Sequence, residues 1–167
     1  MIYLLSLLLL VAEGAEMKGL IREGKIASLA TMYSSMATKG ENYPYTSLVP
    51  YIVDKEGRPI VFISDLAMHT KNLKRNSKCS LMVSKINEDD IFNSARVTLI
   101  GTMEKVPEKE IEEIKKIYFE KYPVSKDLLD MWDFSFYRME VEHIHYIGGF
   151  GDINWYQKDQ IKKIWEK

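Results

Sequence analysis

The cleanest alternation of apolar and polar residues in the chain runs from Ala95 to Glu104. Val97, Leu99, Gly101 and Met103 fall on one side, and Arg96, Thr98, Thr102 and Glu104 on the other. That two-residue period predicts a strand with one buried face. Shorter β-rich runs predict four more strands: Ile26–Met32, Tyr45–Val53, Ile60–Ile63 and Leu81–Ser84. Pro50 lies inside the second of these and has no amide to give a ladder, so that strand is expected at an edge or with a bulge. Asp54 to Pro59 reads as the turn of a hairpin leading into Ile60–Ile63. Phe134–Met139 and His143–Ile147 are expected as a final strand pair, broken by Gly148-Gly149.

Helical spacing is equally legible. Met17, Leu20 and Ile21 share one face of a helix over Glu16–Glu23, with Gly24 as its stop. Leu66–Arg75 is expected as a helix capped by Ser64 or Asp65. Pro107 opens the clearest helix, whose buried stripe is Ile111, Ile114, Tyr118 and Tyr122. Glu108 and Glu110 suit its positive end, and Lys115, Lys116 and Lys121 its negative end. Gln157–Glu166 closes the pattern with Ile161, Ile164 and Trp165. Six or seven strands with three or four helices and no regular βαβ alternation predict a mainly β fold, an antiparallel β-barrel with peripheral helices.

The 167 residues are 46% hydrophobic and 28% charged, the composition of one globular domain. A net charge of -1 argues against a nucleic-acid partner. Cys79 is the one cysteine, so an internal disulfide and a cysteine-based zinc site are excluded, and its place before Leu81-Met82-Val83 suits a small buried side chain. Met1–Val11 is almost wholly apolar but too short for a stable membrane span, which needs ~20 residues. Its length fits a signal-peptide core, so residues 1–14 are expected as a signal peptide and 15–167 as the domain. Secretion or endolysosomal residence follows from that expectation. The alternative, a core helix kept in a cytoplasmic protein, stays open, since no Lys or Arg precedes the run.

Three segments, in order, carry a family resemblance. They are Ala27–Met32; Ile63–Leu73 followed by Cys79–Val83; and Asp133–Met139 leading to Ile147-Gly148-Gly149-Phe150-Gly151. Together they resemble the FMN-binding split β-barrel superfamily of pyridoxamine 5'-phosphate oxidase relatives. The second and third are most similar to the secreted CREG-type glycoproteins and to the HugZ-type haem-utilisation proteins. The resemblance implies a split barrel, a homodimer with its cofactor pocket between subunits, and FMN or, with less support, haem as cofactor. It also implies site residues at the strand-to-helix turn and helix, Ser64, His69, Thr70, Lys71 and Asn72, joined by Ser47 and Arg96. Where the flavin enzymes carry an adjacent basic pair, this chain has Met68-His69, which implies a weakened phosphate grip.

Free amides at the start of a helix can hold an anion, and His69, Thr70 and Lys71 would add donors there. Arg96 could reach an acidic cofactor group, or pair with Glu104 or the Asp89-Asp90 loop. His143 and His145 fall on the same side of a strand as a possible metal pair, but no third ligand is evident, so no metal site is expected. His69 is the axial-ligand candidate for haem near the expected pocket. In the haem-degrading relatives that histidine comes from a C-terminal extension, and none follows His145 here. Three functions therefore stand. One is a CREG-like dimeric recognition scaffold of the secretory or endolysosomal pathway, with a degenerate flavin site and a protein receptor or small anionic ligand as partner. The second is an FMN- or haem-binding oxidoreductase. The third is a ligand-storage or haem-carrier protein, which would need His69 or a tyrosine as iron ligand. Trp132, Phe134, Phe136, Trp155 and Tyr156 are expected either as aromatic surface that favours dimerisation or as covers for the barrel ends.

Overall fold

The computed structural model describes residues 14–130 and 133–166, so residues 1–13 of the expected signal segment 1–14, and Trp132, lie outside the described residues. In chain order the elements are α1 (residues 14–23), β1 (Ile26–Tyr33), β2 (Tyr43–Val53), β3 (Pro59–Ser64), α2 (Met68–Arg75), β4 (Lys78–Lys85) and β5 (Ala95–Lys105). They continue as α3 (Ile111–Lys121), β6 (Phe134–Gly149), β7 (Asp152–Gln157) and α4 (Lys158–Trp165). Every strand pairing is antiparallel, in the order β3-β2-β1-β4-β5-β6-β7. β3 pairs β6 as well, which closes six strands into a ring and leaves β7 beside the far half of β6. This is the split barrel that the strand pattern and the resemblance predict.

Alternation sets what lies inside the ring. Val97, Leu99, Gly101 and Met103 are all buried, as their period requires, and meet Leu29, Val49, Tyr51, Val61, Leu81, Met139 and Ile144 in the core. One end is closed by α1 and α4 through Met17, Ile21, Ile161 and Trp165, and the Tyr51 hydroxyl donates to the Ile21 carbonyl at 2.6 Å. The other end is closed by α2 through Leu73. Pro50 is accommodated because β2 has only β1 as neighbour over Tyr43–Pro50 and gains β3 over Tyr51–Val53.

A second core lies outside the ring. Helix α3 lays Ile114, Tyr118 and Phe119 over Ile52, Ile60, Phe62 and Phe136, so β3 is buried on both faces. Phe119, not Tyr122, completes the buried stripe of α3. The Phe62 ring stands 4.5–5.8 Å from the rings of Phe136, Phe134, Phe119 and Tyr118.

The expected final strand pair is one strand of 16 residues, β6. Ile100 pairs His143 while Gly101 pairs Val141, so Glu142 is an extra residue in a bulge. Met139 and Val141 point inward before it, Ile144 and Tyr146 after it, and His143 and His145 are turned to the outside. The bulge needs Gly101, because a Cβ there would overlap the Glu140 carbonyl oxygen. Strand β7 was not expected. Its alternation sends Tyr156 into the core and Trp155 outward, and Phe136 is buried under α3. Of the expected aromatic surface that is described, Trp155 alone is exposed.

Candidate functional site

The mouth of the barrel at α2 gathers four of the expected site residues. His69 Nδ1 and Ser47 Oγ are 3.1 Å apart, which ties α2 to β2. Asn72 donates from Nδ2 to Thr31 Oγ1 at 3.0 Å, and Thr70 is fully buried beside it. His69 Nε2, Thr70 Oγ1 and Asn72 Oδ1 are sealed from solvent without partners. Burial also holds the His69 imidazole below its ordinary pKa, so the ring is neutral at pH 7. Thr31 was not singled out in the sequence. Its place on the inward side of β1, in step with Leu29, is the signal that finds it.

The other three residues go elsewhere. Ser64 donates its hydroxyl to Asp133 and accepts from the Leu66 amide at 3.0 Å. It therefore shapes the turn before α2, and the residue at the helix cap is Ala67, not Ser64 or Asp65. Lys71 is exposed on α2. Arg96 lies three strands around the ring from Ser47, on the outer face, and donates to the Ser94 carbonyl at 3.1 Å in place of the expected acidic partners.

An outer face that α3 does not cover forms the second candidate site. Register aligns Leu48, Ser28, Met82, Thr98, His145 and Trp155 in one row across β2, β1, β4, β5, β6 and β7. Leu48 is 67% exposed, Met82 40% and Trp155 55%. The His145 and Trp155 rings are stacked, with centroids 4.3 Å apart and planes 16° apart. In the adjoining row, Ile100, His143 and Gln157 lie side by side, and His143 Nδ1 is 2.7 Å from Gln157 Oε1.

These two sites suit the implied cofactors unequally. A flavin phosphate at the Ser64 turn would meet the carboxylates of Asp133 and of Asp65, which already holds the nearby Lys74 ammonium at 3.0 Å, and the one serine hydroxyl there is already donated. That corner does not suit a phosphate. Haem needs an iron ligand and a flat, largely apolar surface. His69 offers no nitrogen to solvent in the described arrangement, whereas the outer face carries two imidazoles, an indole and exposed Leu48 and Met82 spaced by Ser28 and Thr98, a mixed surface that offers an iron ligand and aromatic contact. No cluster of three or more metal-ligating side chains occurs among the described residues, and no described helix is long and apolar enough to cross a membrane.

Comparison with known proteins supplies the family. A family model described as CREG, beta-barrel matches residues 11–162. The chain is 38% identical over 122 residues to a chloroplast haem oxygenase, HOZ, of Arabidopsis thaliana, covering 73% of this chain and 37% of that protein. Among solved structures, a haem-binding protein from Mycobacterium smegmatis superimposes with a TM-score of 0.77 at 25% identity, covering 92% of this chain and 60% of the other. HutZ, a haem storage protein from Vibrio cholerae, gives 0.62 at 27% identity over 77% of this chain and 89% of its own. The chain thus spans about a third of the curated relative's length and under two thirds of the mycobacterial one.

Proposed function

The chain belongs to the CREG β-barrel family, and on that premise we propose that it is a haem-binding protein that works as a homodimer. The tetrapyrrole lies against the outer face that α3 leaves open, and the corner before α2 is a degenerate flavin site. The observation that supports this reading is the row ending in the His145–Trp155 stack. It joins an aromatic platform to exposed Leu48 and Met82 on one continuous sheet surface. An indole fixed by a stacked imidazole is a rigid surface for a planar macrocycle, since aromatic faces prefer such contacts. Bound haem would supply iron for redox or oxygen chemistry, which no side chain of this protein provides.

The second copy enters for a physical reason as well as by family. Leu48, Met82 and Trp155 stand exposed in one row, spaced by Ser28, Thr98 and His145, a mixed apolar and polar surface of the kind a partner covers. A planar ligand resting on a single flat sheet stays half in water, and a second copy would cover its other face.

Titration with hemin, followed by visible absorption and light scattering, tests both parts. The expected result is saturable binding with a Soret band near ~400 nm and the mass of two chains. A hemin spectrum unchanged by the protein sinks the haem reading, and a one-chain mass at micromolar concentration sinks the dimer. Residence in the secretory pathway is a third part of the proposal, carried by the apolar run Met1–Val11. Sequencing the mature N-terminus tests it, and an intact Met1 would remove it.

A further inference from the structure

We propose that the cavity between α3 and the β2–β3 hairpin binds an organic monoanion with an apolar body, its negative group held by Arg22 and Lys121. The cavity lies on the α3 flank, apart from the outer face proposed for haem, so the two readings fail separately. It measures about 500 Å³, a size that holds small ligands. Its floor is Ile52, Ile60 and Ile114, which also belong to the second core. Ile117 extends that apolar lining to the rim, where it stays 40% exposed. Ile114, Ile117 and Lys121 follow one another on α3 at spacings of three and four, so apolar surface leads directly to the ammonium.

Charge in the lining is unevenly matched. Four carboxylates line the cavity, and each already holds a cation. Asp54 and Glu56 hold Arg58 at 2.8 and 2.5 Å, Glu110 holds Arg138 at 2.5 Å, and Glu113 holds Lys55 at 3.4 Å. The other two cations of the lining, Arg22 and Lys121, have no carboxylate partner among the described residues. Both are nonetheless held in place. Lys121 Nζ donates to the Gly24 carbonyl at 2.8 Å and lies 5.3 and 5.7 Å from the ring centroids of Tyr51 and Tyr122. The Arg22 guanidinium lies 4.9 Å from the centroid of the Trp165 ring. Carbonyl and ring faces favour the charged form of each side chain.

These contacts do not cancel the charge. Burial and then the Lys25 ammonium hold the Lys121 pKa below its ordinary value, so a third cation acts at the same end of the cavity. The last turns of α1 and α3 meet there, and each helix end offers roughly half a negative charge. Two such ends do not balance three ammonium and guanidinium groups, and a bound anion would. The far end has the opposite sign. Ile111–Lys121 spans about 15 Å along the helix axis, and at its start Asp54, Glu56, Glu110 and Glu140 outnumber Arg58 and Arg138. A second negative group placed there is repelled, so the site prefers one charge followed by apolar chain over a dianion.

Calorimetric titration of the full chain with octanoate tests the site, with octanol, acetate and octanedioate as comparisons. Octanoate is expected to bind saturably. Octanol lacks the charge and acetate the apolar body, so each should bind roughly tenfold or more weakly, and octanedioate should also fall below octanoate. Arg22→Gln and Lys121→Gln should each weaken octanoate roughly tenfold, as the loss of a charge-assisted hydrogen bond does. Lys163→Gln, on the exposed side of α4, should bind as wild type does. Side-chain NMR of Lys121 supplies a readout that a merely structural lysine would not move, since its pKa should rise when octanoate binds. Acetate that binds as well as octanoate means an adventitious ion only and overturns the apolar half of the proposal. Octanol that binds as well overturns the anionic half, and octanedioate that binds as well overturns the preference for one charge. No saturable octanoate binding, or full binding by both variants, overturns the site. Should Lys121→Gln not fold, Arg22→Gln and the Lys121 titration in wild type decide.

Discussion

The barrel has two outer flanks of opposite character. Under α3, β3 and the first part of β6 present Ile60, Phe62 and Phe136, which are buried in an aromatic cluster with Tyr118 and Phe119. Around the ring, β2, β1, β4, β5 and the far part of β6 present Leu48, Ser28, Met82, Thr98 and His145 to the outside. The first flank mates large apolar side chains with a helix of the same chain. The second mixes small, hydroxylated and apolar residues with two histidines, and among the described residues no helix mates with it. A sheet face that no described helix covers, yet that carries exposed leucine, methionine and tryptophan, is the surface on which the proposed ligand and second copy depend.

The largest effect should come from breaking the covered flank. Phe62 contacts four aromatic rings and is 7% exposed. Phe62→Ala is expected to cost about 3–5 kcal/mol in urea unfolding, the loss typical of a buried phenylalanine. A cost under ~1 kcal/mol would mean that α3 is a loose appendage and that the contrast between the flanks is false.

Next in size is the point at which β6 changes flank. Gly101→Ala forces a Cβ toward the Glu140 carbonyl and is expected to cost roughly 1–3 kcal/mol, as overpacking does. It should also disturb the outer face, because a strand that loses its bulge sends His143 and His145 to the core side. A Gly101→Ala protein that melts like wild type and binds hemin unchanged would show that the bulge does not aim these histidines.

That bulge also marks where the sequence stopped being legible. The alternation of Ala95–Glu104 and the helical face of Met17, Leu20 and Ile21 could be read directly, because burial repeats there without interruption. β6 read as two strands because one extra residue breaks a two-residue period, and only the partner strand shows that pairing continues. β7 was hidden by its length of six residues and by Gly151 and Asp152, which look like turn chemistry. At the site, the pairing of Ser47 with His69 brings together two residues named from sequence. Asp133, which occupies Ser64, is 69 positions away from it, and Gln157 is 14 from His143; local pattern cannot supply such partners.

A smaller effect is expected at the mouth where α2 meets β1 and β2. Burial lowers the His69 pKa from its ordinary value of 6.5, so below that pH the unfolded chain binds more protons than the folded one. The stability that a neutral His69 contributes is therefore complete above about 6.5 and is lost as pH falls toward and through the lowered value. His69→Asn should flatten the pH dependence of the urea midpoint in that range. The same slope in wild type and variant would assign the proton to another group and separate this mouth from the barrel's packing.

The smallest effect on the fold, and the sharpest test of the contrast, is Leu48→Asp. Leu48 lies on the part of β2 that has one strand neighbour, with its side chain 67% exposed. A carboxylate there displaces no packed neighbour, so unfolding of the single chain should change by no more than about 0.5 kcal/mol, as for surface substitutions generally. Self-association should respond quite differently. In a two-fold interface each substitution occurs twice, and a charge buried without a partner on both copies is costly. Light scattering across a dilution series should then give the mass of one chain where wild type gives two. If Leu48→Asp instead unfolds the chain as Phe62→Ala does, residue 48 belongs to a packed core and the two flanks are alike. If it leaves both the melt and the mass of wild type unchanged, the second copy sits on some other surface.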